Sequence, residues 1–230
     1  MFRFKQFTVR QEGSAMKVGT DGVLVGAWAS AGDGCRRILD IGTGTGLIAL
    51  IAAQRFPSAD VVGVEIDADS AAQARENVAA SPWSNRIDIV CTAVQDYTPD
   101  ERFDLIISNP PYFDNSLVCP DKGRTAARHT VSLNFAELAA AAERLLADGG
   151  RFAVIVPADA ARAVIMAARL HLVRRCDVRT KPSGVFKRTM LEFAKRFEGA
   201  AECSELTIGD GAGGYDDEYR CLTGDFYLKF

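Results

Sequence analysis

The chain has 230 residues, of which 48% are hydrophobic and 25% are charged, and its net charge is −3. This composition fits a single folded domain with a sizeable core and leaves little room for a second one. No apolar run approaches the roughly 20 residues that span a bilayer, and the N-terminus lacks the apolar stretch of a signal peptide, so we expect a cytoplasmic protein with no membrane partner.

The hydrophobic pattern predicts an N-terminal β-hairpin followed by alternating strands and helices. The hairpin pairs residues 4–9 with 15–18 across a turn at 11–14, and a helix begins at Thr20–Asp21. Further strands are predicted at 37–41, 60–65, 87–91, 105–108, 152–156, 172–179 and 190–197, and helices at 47–54, 69–80, 135–146 and 158–170. Apolar strands separated by helices form a mostly parallel sheet covered on both faces. Since such sheets bind ligands beyond the carboxyl ends of their strands, we expect functional residues in the loops that follow strands.

A glycine-rich loop follows the first of these strands. Residues 40–46 read Asp-Ile-Gly-Thr-Gly-Thr-Gly, a turn that lets a ligand approach backbone N–H groups at a helix N-terminus. The spacing differs from that of dinucleotide enzymes, because Leu47 occupies the place of their last glycine. Asp40 would repel a phosphate but can face the ammonium group of an amino-acid ligand. The loop therefore favours S-adenosylmethionine over NAD.

Carboxylates follow the next two strands. Glu65 ends the second strand, about 20 residues after the glycines, where it can accept hydrogen bonds from ribose hydroxyls. Asp67 is interpreted as the cap of the following helix. Asp96 follows the third strand and can accept from the amino group of an adenine ring, against which Val94 can pack. Together these positions predict a nucleoside site along one edge of the sheet.

The fourth strand leads into Ser-Asn-Pro-Pro-Tyr at residues 108–112. Successive prolines fix the backbone direction and remove donors, so this loop presents carbonyl groups. The Asn109 amide oxygen and the Pro110 carbonyl can both accept hydrogen bonds from one flat amino group, which frees its lone pair to attack a methyl group held in line. Tyr112 can stack on the substrate ring, as aromatic side chains do with unstacked bases.

Charge is distributed unevenly along the C-terminal half. Residues 169–196 contain nine basic and two acidic residues, whereas residues 198–230 contain eight acidic and two basic ones. Such a chain can bind a polyanion through one face while being acidic overall. The alternative is that these charges only solvate the faces of strands and helices. The acidic run 216–218 would repel phosphates, so in an RNA-binding protein it must face away from the substrate.

Cysteine and histidine usage predicts no disulfide framework and no metal site. The six cysteines are scattered without a Cys-x-x-Cys pair, which is typical of reduced thiols. The two histidines, His129 and His171, stand at no metal-ligand spacing from each other or from a cysteine.

The glycine-rich loop together with Asn109-Pro110-Pro111-Tyr112 resembles the class I amino methyltransferases, which include DNA and RNA adenine-N6 and protein glutamine-N5 enzymes. The resemblance implies an α/β, Rossmann-like, seven-stranded sheet whose last strand is antiparallel, with helices on both faces and S-adenosylmethionine as cofactor. Residues 1–30 would form the N-terminal hairpin and helix of this single domain, and residues 31–230 its cofactor-binding and catalytic core.

Four further segments are similar to the bacterial family that methylates N6 of adenine 37 in the anticodon loop of valine tRNA: 7–9, 17–24, 127–129 and 225–228. The expected substrate is therefore tRNA, with no obligate protein partner. N5-methylation of a protein glutamine and a non-catalytic RNA-binding module remain as alternatives, and a hydride-transferring dehydrogenase is disfavoured by the glycine spacing.

The expected site residues fall into three sets. The catalytic set is Asn109, Pro110, Pro111 and Tyr112. The cofactor set is Lys17, Thr20, Asp21, Asp40, Gly42, Thr43, Gly44, Gly46, Glu65, Ile66, Asp96 and Asn109. The substrate set is Tyr112, Lys122, Arg124, Arg128, Arg174, Arg175 and Lys187. Arg128 can equally be a salt-bridged structural residue, and His129 is assigned no role.

Overall fold

A computed structural model describes residues 1–12, 17–111 and 133–230. Its strands are β1 (Phe2–Arg3), β2 (Thr8–Val9), β3 (Arg37–Ile41), β4 (Asp60–Glu65), β5 (Ile87–Cys91), β6 (Phe103–Ser108), β7 (Leu146–Pro157), β8 (His171–Arg179), β9 (Phe186–Ala194) and β10 (Glu202–Thr207). Its helices are α1 (Thr20–Trp28), α2 (Leu47–Arg55), α3 (Ala68–Ala79), α4 (Phe135–Leu145), α5 (Ala161–Ala167) and α6 (Asp217–Thr223).

Within these residues, eight strands form one sheet in the order β10-β8-β9-β7-β6-β3-β4-β5. Strand β9 runs antiparallel to both of its neighbours, and the remaining pairs are parallel. The predicted mostly parallel sheet is confirmed; its antiparallel strand is the seventh of eight along the chain and not the last, as was predicted. The structure adds β10, an eighth strand at the edge beside β8, which the sequence pattern did not reveal because four of its six residues are exposed.

The sheet is covered on both faces by helices, as its strand pattern predicts. One apolar cluster packs α1, α2 and α3 against alternate strand residues such as Ile38 and Ile107. The other packs α4 and α5 against the intervening residues, such as Leu39 and Ile106. Because neighbouring residues of a strand point to opposite faces, both Ile38 and Leu39 are fully buried.

An N-terminal hairpin is present. Strand β1 pairs with β2, and Phe2 lies opposite Val9, so the chain turns at residues 4–7. Of the predicted turn at 11–14 and return strand at 15–18, residues 13–16 lie outside the described residues, and that pairing stays a prediction. The Phe4 and Phe7 rings stack with centroids 4.6 Å apart inside this turn. The hairpin then packs on the C-terminal segment, where the Lys5 backbone N–H donates to the Phe226 carbonyl at 2.8 Å. Contacts between the two ends of the chain therefore determine where the hairpin closes.

The acidic run 216–218 begins α6, a helix that the sequence reading missed. The Asp216 side chain accepts a hydrogen bond from the backbone N–H of Glu218 at 3.0 Å, and acidic groups are stabilising in the first turn of a helix. Asp217 and Glu218 are exposed. The run thus has a structural explanation in helix capping.

A buried carboxylate connects β9 to the end of α1. Glu192 is fully buried and accepts hydrogen bonds from the backbone N–H of Ser30 at 2.9 Å and from its hydroxyl at 2.8 Å. The guanidinium of Arg174 lies 3.5 Å from the same carboxylate and 4.2 Å from the centre of the Trp28 ring. Arg174 is therefore part of an internal network.

Replacing Glu192 by alanine should lower the free energy of unfolding by about 3–5 kcal/mol, because it leaves a partly buried cation and a backbone N–H without their acceptor. Urea denaturation measures the loss. Asp148→Ala is the matched control, since that carboxylate is 73% exposed and pairs with Arg102 and Lys195 at 3.7 and 3.4 Å, so its loss should cost no more than about 1 kcal/mol. Equal losses in the two variants would contradict the account of Glu192.

Candidate active site

The glycine-rich loop adopts a backbone that requires glycine. Gly42, Gly44 and Gly46 have φ angles of 71°, 54° and 83°, a region that other residues rarely occupy. A Cβ atom at Gly42 or Gly44 would meet nothing within 4 Å, whereas one at Gly46 would lie 3.5 Å from the Cβ of Ala74. The first two glycines therefore border open space, and the third packs against α3.

The loop is held from below by Asp40, which is fully buried. Its Oδ2 accepts hydrogen bonds from the Thr43 hydroxyl at 2.5 Å and from the backbone N–H of Ala49, in the first turn of α2, at 3.1 Å. Burial raises the pKa of this carboxyl group to about 7, against the hydrogen bonds from Thr43 and Ala49. The expected contact of Asp40 with a ligand ammonium stays a prediction; in this structure its carboxylate connects the loop to α2.

Glu65 is bound to the same loop from the end of β4. Its Oε2 accepts from the backbone N–H of Gly44 at 2.9 Å and its Oε1 from that of Asp67 at 3.0 Å. Asp67 caps α3 by accepting from the Ser70 N–H at 2.8 Å, which confirms its interpretation as a helix cap. The neighbouring Ile66 is 45% exposed, although it is a large apolar side chain.

A cavity of about 220 Å³ lies between the loop, the start of α1 and the end of β6. Its walls bring together the predicted residues Lys17, Asp21, Gly42, Thr43, Gly44 and Asn109. They also include Val18, Gly19, Gly22, Thr45, Leu47 and Ile48, which the sequence reading did not assign to the site. The predicted residues outside its lining are Thr20, Asp40, Gly46, Glu65, Ile66 and Asp96.

Asn109 reaches this cavity because β6 and β3 end side by side. The Ser108 hydroxyl donates to the carbonyl of Ile41 at 2.9 Å, which joins the ends of the two strands. Pro110 is buried and Pro111 is exposed. The remaining predicted residues of this region, Tyr112, Lys122, Arg124 and Arg128, lie outside the described residues.

An ion pair joins Asp21, in the cavity wall, to strand β9. The Nε of Arg188, at the start of β9, donates to Oδ2 of Asp21 at 2.7 Å. Sequence reasoning counted Arg188 only as one of nine basic residues in its segment. The two residues are 167 positions apart, so no local pattern could have indicated the pair.

The other predicted site residues lie at the periphery. Asp96 is exposed in the turn after β5, where its backbone N–H donates to the carbonyl of Ala93. Arg175 forms two hydrogen bonds with Asp177 of its own strand, at 2.9 and 3.0 Å. Lys187 is exposed and directly precedes Arg188 near the start of β9. Of the three basic residues predicted on β8 and β9, Lys187 is the one whose neighbour, Arg188, pairs with a residue of the cavity wall, Asp21.

Residues 22–181 match the family model described as a methyltransferase small domain. The chain belongs to this methyltransferase family. The match spans the glycine-rich loop and the Asn-Pro-Pro segment, and so confirms the resemblance on which the sequence analysis relied.

Similar proteins extend over nearly the whole chain. It is 48% identical to a relative from Bacteroides thetaiotaomicron and 50% identical to one from Phocaeicola vulgatus, covering 99% of this chain and 97% of each relative. A relative from Trichodesmium erythraeum is 46% identical over 100% of this chain and 98% of its own. All three bear the name tRNA1(Val) (adenine(37)-N6)-methyltransferase.

Solved structures agree on the fold. A predicted O-methyltransferase from Agrobacterium tumefaciens superposes with a TM-score of 0.70 at 22% identity, covering 90% of this chain and 96% of that one. TrmN from Thermus thermophilus gives 0.52 at 24% identity, covering 70% and 44%. Among the described residues no cluster of histidine, cysteine or carboxylate side chains is suited to a metal ion. Across the same ranges, no helix combines the length and apolar character needed to cross a membrane.

The buried Asp40 makes stability depend on pH. Its folded-state pKa of about 7 stands above the ordinary value of 3.8, so between these values the folded chain keeps a proton that the unfolded chain releases. The free energy of unfolding contributed by this group therefore falls as pH rises from about 4 to about 7. Asp40→Asn keeps an oxygen acceptor for Thr43 and Ala49 but does not titrate, so its unfolding free energy should fall less over this range.

Urea denaturation at several pH values between 4 and 7 tests this expectation. Asp148→Asn is the control, because that exposed carboxylate should leave the pH dependence of the wild type unchanged. Parallel curves for the wild type and Asp40→Asn would contradict the assignment of the raised pKa to Asp40.

Proposed function

We propose that this methyltransferase binds S-adenosylmethionine in the 220 Å³ cavity and methylates N6 of adenine 37 in the anticodon loop of valine tRNA. The observation that carries the proposal is the convergence of Asn109, from the Asn-Pro-Pro-Tyr segment, with the glycine-rich loop on one cavity. The assignment of adenine as the target base and of tRNA as the substrate rests on the names of relatives that are 45–50% identical over almost the full chain. Each of these supports a different part of the proposal.

The cavity fits the methionine end of the proposed cofactor in shape and charge. The open space above Gly42 and Gly44 is a cradle that any Cβ atom there would enter. Lys17 and Asp21 stand in the walls with opposite charges, and an amino acid carries one group of each sign. In this proposal Lys17 binds the carboxylate, and Asp21, oriented by Arg188, accepts from the ammonium group. Glu65, at the adjoining strand end, would receive the ribose hydroxyls.

The chemistry assigned to Asn109 and Pro110 is the positioning of an amino group. S-adenosylmethionine, when bound, supplies a methyl group on a positively charged sulfur. The Asn109 side-chain oxygen and the Pro110 carbonyl would accept hydrogen bonds from the two N6–H groups, which would turn the nitrogen lone pair toward that methyl carbon. On transfer the C–S bonding pair would stay on the cofactor's sulfur, and one N6 proton would leave to solvent. No strong base is required at the site.

Replacing Asn109 by alanine should reduce kcat by at least about 100-fold, because an oriented acceptor is lost in the transition state. Calorimetry with S-adenosylmethionine should still detect binding, since the glycine-rich loop and Lys17 are unchanged. The control is Asn134→Ala, which removes the cap of α4, where Asn134 accepts from the Glu137 N–H at 2.9 Å. That variant should lose about 1 kcal/mol of stability and keep its activity. Unchanged turnover in Asn109→Ala would remove this residue from the mechanism.

Lys187 is expected to contact the RNA backbone, because it is exposed beside the ion pair that borders the cavity. Lys187→Ala should weaken tRNA binding and lower the slope of log Kd against log salt concentration by about 1. Arg102→Ala is the matched control. The Arg102 side chain is 60% exposed, and it lies just before β6, at the end of the sheet away from the cavity. Equal effects of the two substitutions would contradict a specific role for Lys187.

The identity of the substrate is tested with a labelled methyl donor offered separately to total tRNA and to total protein. Label in tRNA that digests to N6-methyladenosine is the expected result. Label in protein would favour glutamine methylation, and label in neither would favour a non-catalytic module. Mass spectrometry of nucleosides in tRNA from a deletion strain should show the loss of N6-methyladenosine from valine tRNA alone.

A further inference from the structure

A second recess adjoins the cavity and shares two of its residues. The recess measures about 380 Å³, within the range of sites that hold small molecules or parts of larger ligands. Val18 and Gly19 line both spaces, and Thr20 follows them into the recess. The other lining residues are Phe2, Ile208, Tyr215, Tyr219, Tyr227, Lys229 and Phe230. The recess and the cavity therefore lie on either side of Val18 and Gly19.

Aromatic rings in two orientations form the recess. The Phe230 ring stands perpendicular to those of Tyr215, Tyr219 and Tyr227, at interplanar angles of 84°, 88° and 87° and centroid distances of 5.5, 6.0 and 5.6 Å. Tyr219 is 3% exposed and belongs to the core, but Tyr215 and Phe230 are 42% and 41% exposed. The Tyr215 ring stacks on that of Tyr219 with centroids 5.4 Å apart, and both Tyr215 and Phe230 keep apolar surface that the rest of the described chain does not cover.

The charges around the recess differ between its two sides. Lys229 lines the recess itself and Lys17 lines the adjoining cavity. On the other side, Tyr215 is followed directly by the acidic first turn of α6 at residues 216–218. A phosphate would be attracted on the lysine side and repelled on the helix side. The recess therefore suits a nucleotide whose flat, uncharged base points inward and whose phosphate stays near the lysines.

We infer that this recess binds an unstacked nucleobase of the substrate RNA, next in sequence to the adenine that is methylated. The inference rests on the proposed function. Taking the target adenine out of its stack costs a few kcal/mol, and it exposes the faces of the neighbouring bases. A base stacked on an aromatic side chain recovers about 1–3 kcal/mol. The recess would thus hold the RNA loop open beside the cavity.

An RNA base explains the recess better than an apolar peptide or a second copy of the chain. Lys229 lines the recess, where a polyanion benefits from its positive charge. An exclusively apolar partner would leave the charge of Lys229 without a counterpart. The shared wall at Val18 and Gly19 also links the recess to the proposed catalytic site, as a residue flanking the target requires.

The test begins with Tyr215→Leu, measured on the full-length protein with valine tRNA and with its anticodon stem-loop. The Kd for RNA should rise about tenfold, because leucine offers no ring face for stacking. Tyr215→Phe should restore wild-type binding, since it keeps the ring. Binding of S-adenosylmethionine should be unchanged in both variants. Phe56→Leu is the control, a half-buried aromatic at the far end of α2 from the glycine-rich loop.

A double-mutant cycle then identifies the base. Stem-loops with an abasic nucleotide on either side of the target adenine are bound to the wild type and to Tyr215→Leu. At one of the two positions, the losses of binding free energy caused by removing the base and by removing the ring should not be additive, because each change removes the same contact. Additive effects at both positions, or an unchanged Kd in Tyr215→Leu, would overturn the inference.

Two further outcomes separate this inference from the proposed function. If the wild type methylates tRNA and Tyr215→Leu binds it equally well, the recess proposal fails and the proposed function stands. If the wild type neither binds nor methylates RNA, both fail together. A change in molecular mass by light scattering on Tyr215→Leu would assign the recess to contact between copies of the chain and overturn its role as a base site.

Discussion

The glycine-rich loop is supported from below by a buried carboxylate, while a second carboxylate, Glu65, accepts from its Gly44 N–H. Asp40 lies at 0% exposure under the loop and binds Thr43 and Ala49 through the same oxygen. Its second oxygen has no hydrogen-bond partner among the described residues. The neighbouring strand allows this arrangement because Gly63 has no side chain: a Cβ there would lie 2.9 Å from the Thr43 hydroxyl. The open space that a ligand needs above Gly42 and Gly44 follows from this support.

The cavity is completed by contacts between distant parts of the chain. The start of α1 forms one wall, the end of β6 a second, and Asp21 is tied to β9 through Arg188. The same antiparallel strand carries Glu192, which holds the other end of α1 through Ser30. Strand β9 therefore fixes α1 at both of its ends. The start of α1 can form a wall of the site because these contacts with β9 fix the helix on the sheet.

The sequence predicted those parts of the fold whose signal is local. The strand limits at 37–41, 60–65 and 87–91 agree with the structure, because apolar runs between turn residues determine them. Strand β10 and helix α6 were missed, since β10 is an exposed edge strand and α6 has only seven residues. The close turn at residues 4–7 was not predicted, because it packs against aromatic residues at the other end of the chain.

The same distinction applies to the site. Lys17, Asp21, the glycine-rich loop and Asn109 were all predicted, and they border one cavity. The partners of these residues were not predicted: Arg188 contacts Asp21 across 167 positions. For Arg174, the basic character of the segment suggested RNA, but its contacts are with Trp28 and Glu192. A charge pattern cannot distinguish a cation that faces solvent from one that a distant carboxylate has paired.

The proposed mechanism requires that Asn109 and Pro110, at the end of β6, bind the amino group of the substrate beside the methyl donor. It is tested most directly by a crystal structure of the protein with S-adenosylhomocysteine and the anticodon stem-loop of valine tRNA. The account predicts the cofactor above Gly42 and Gly44, with the N6 of an extruded adenine within about 3.2 Å of the Asn109 side-chain oxygen and the Pro110 carbonyl. An adenine still stacked in its loop, or bound away from Asn109 with the cofactor in place, would contradict it.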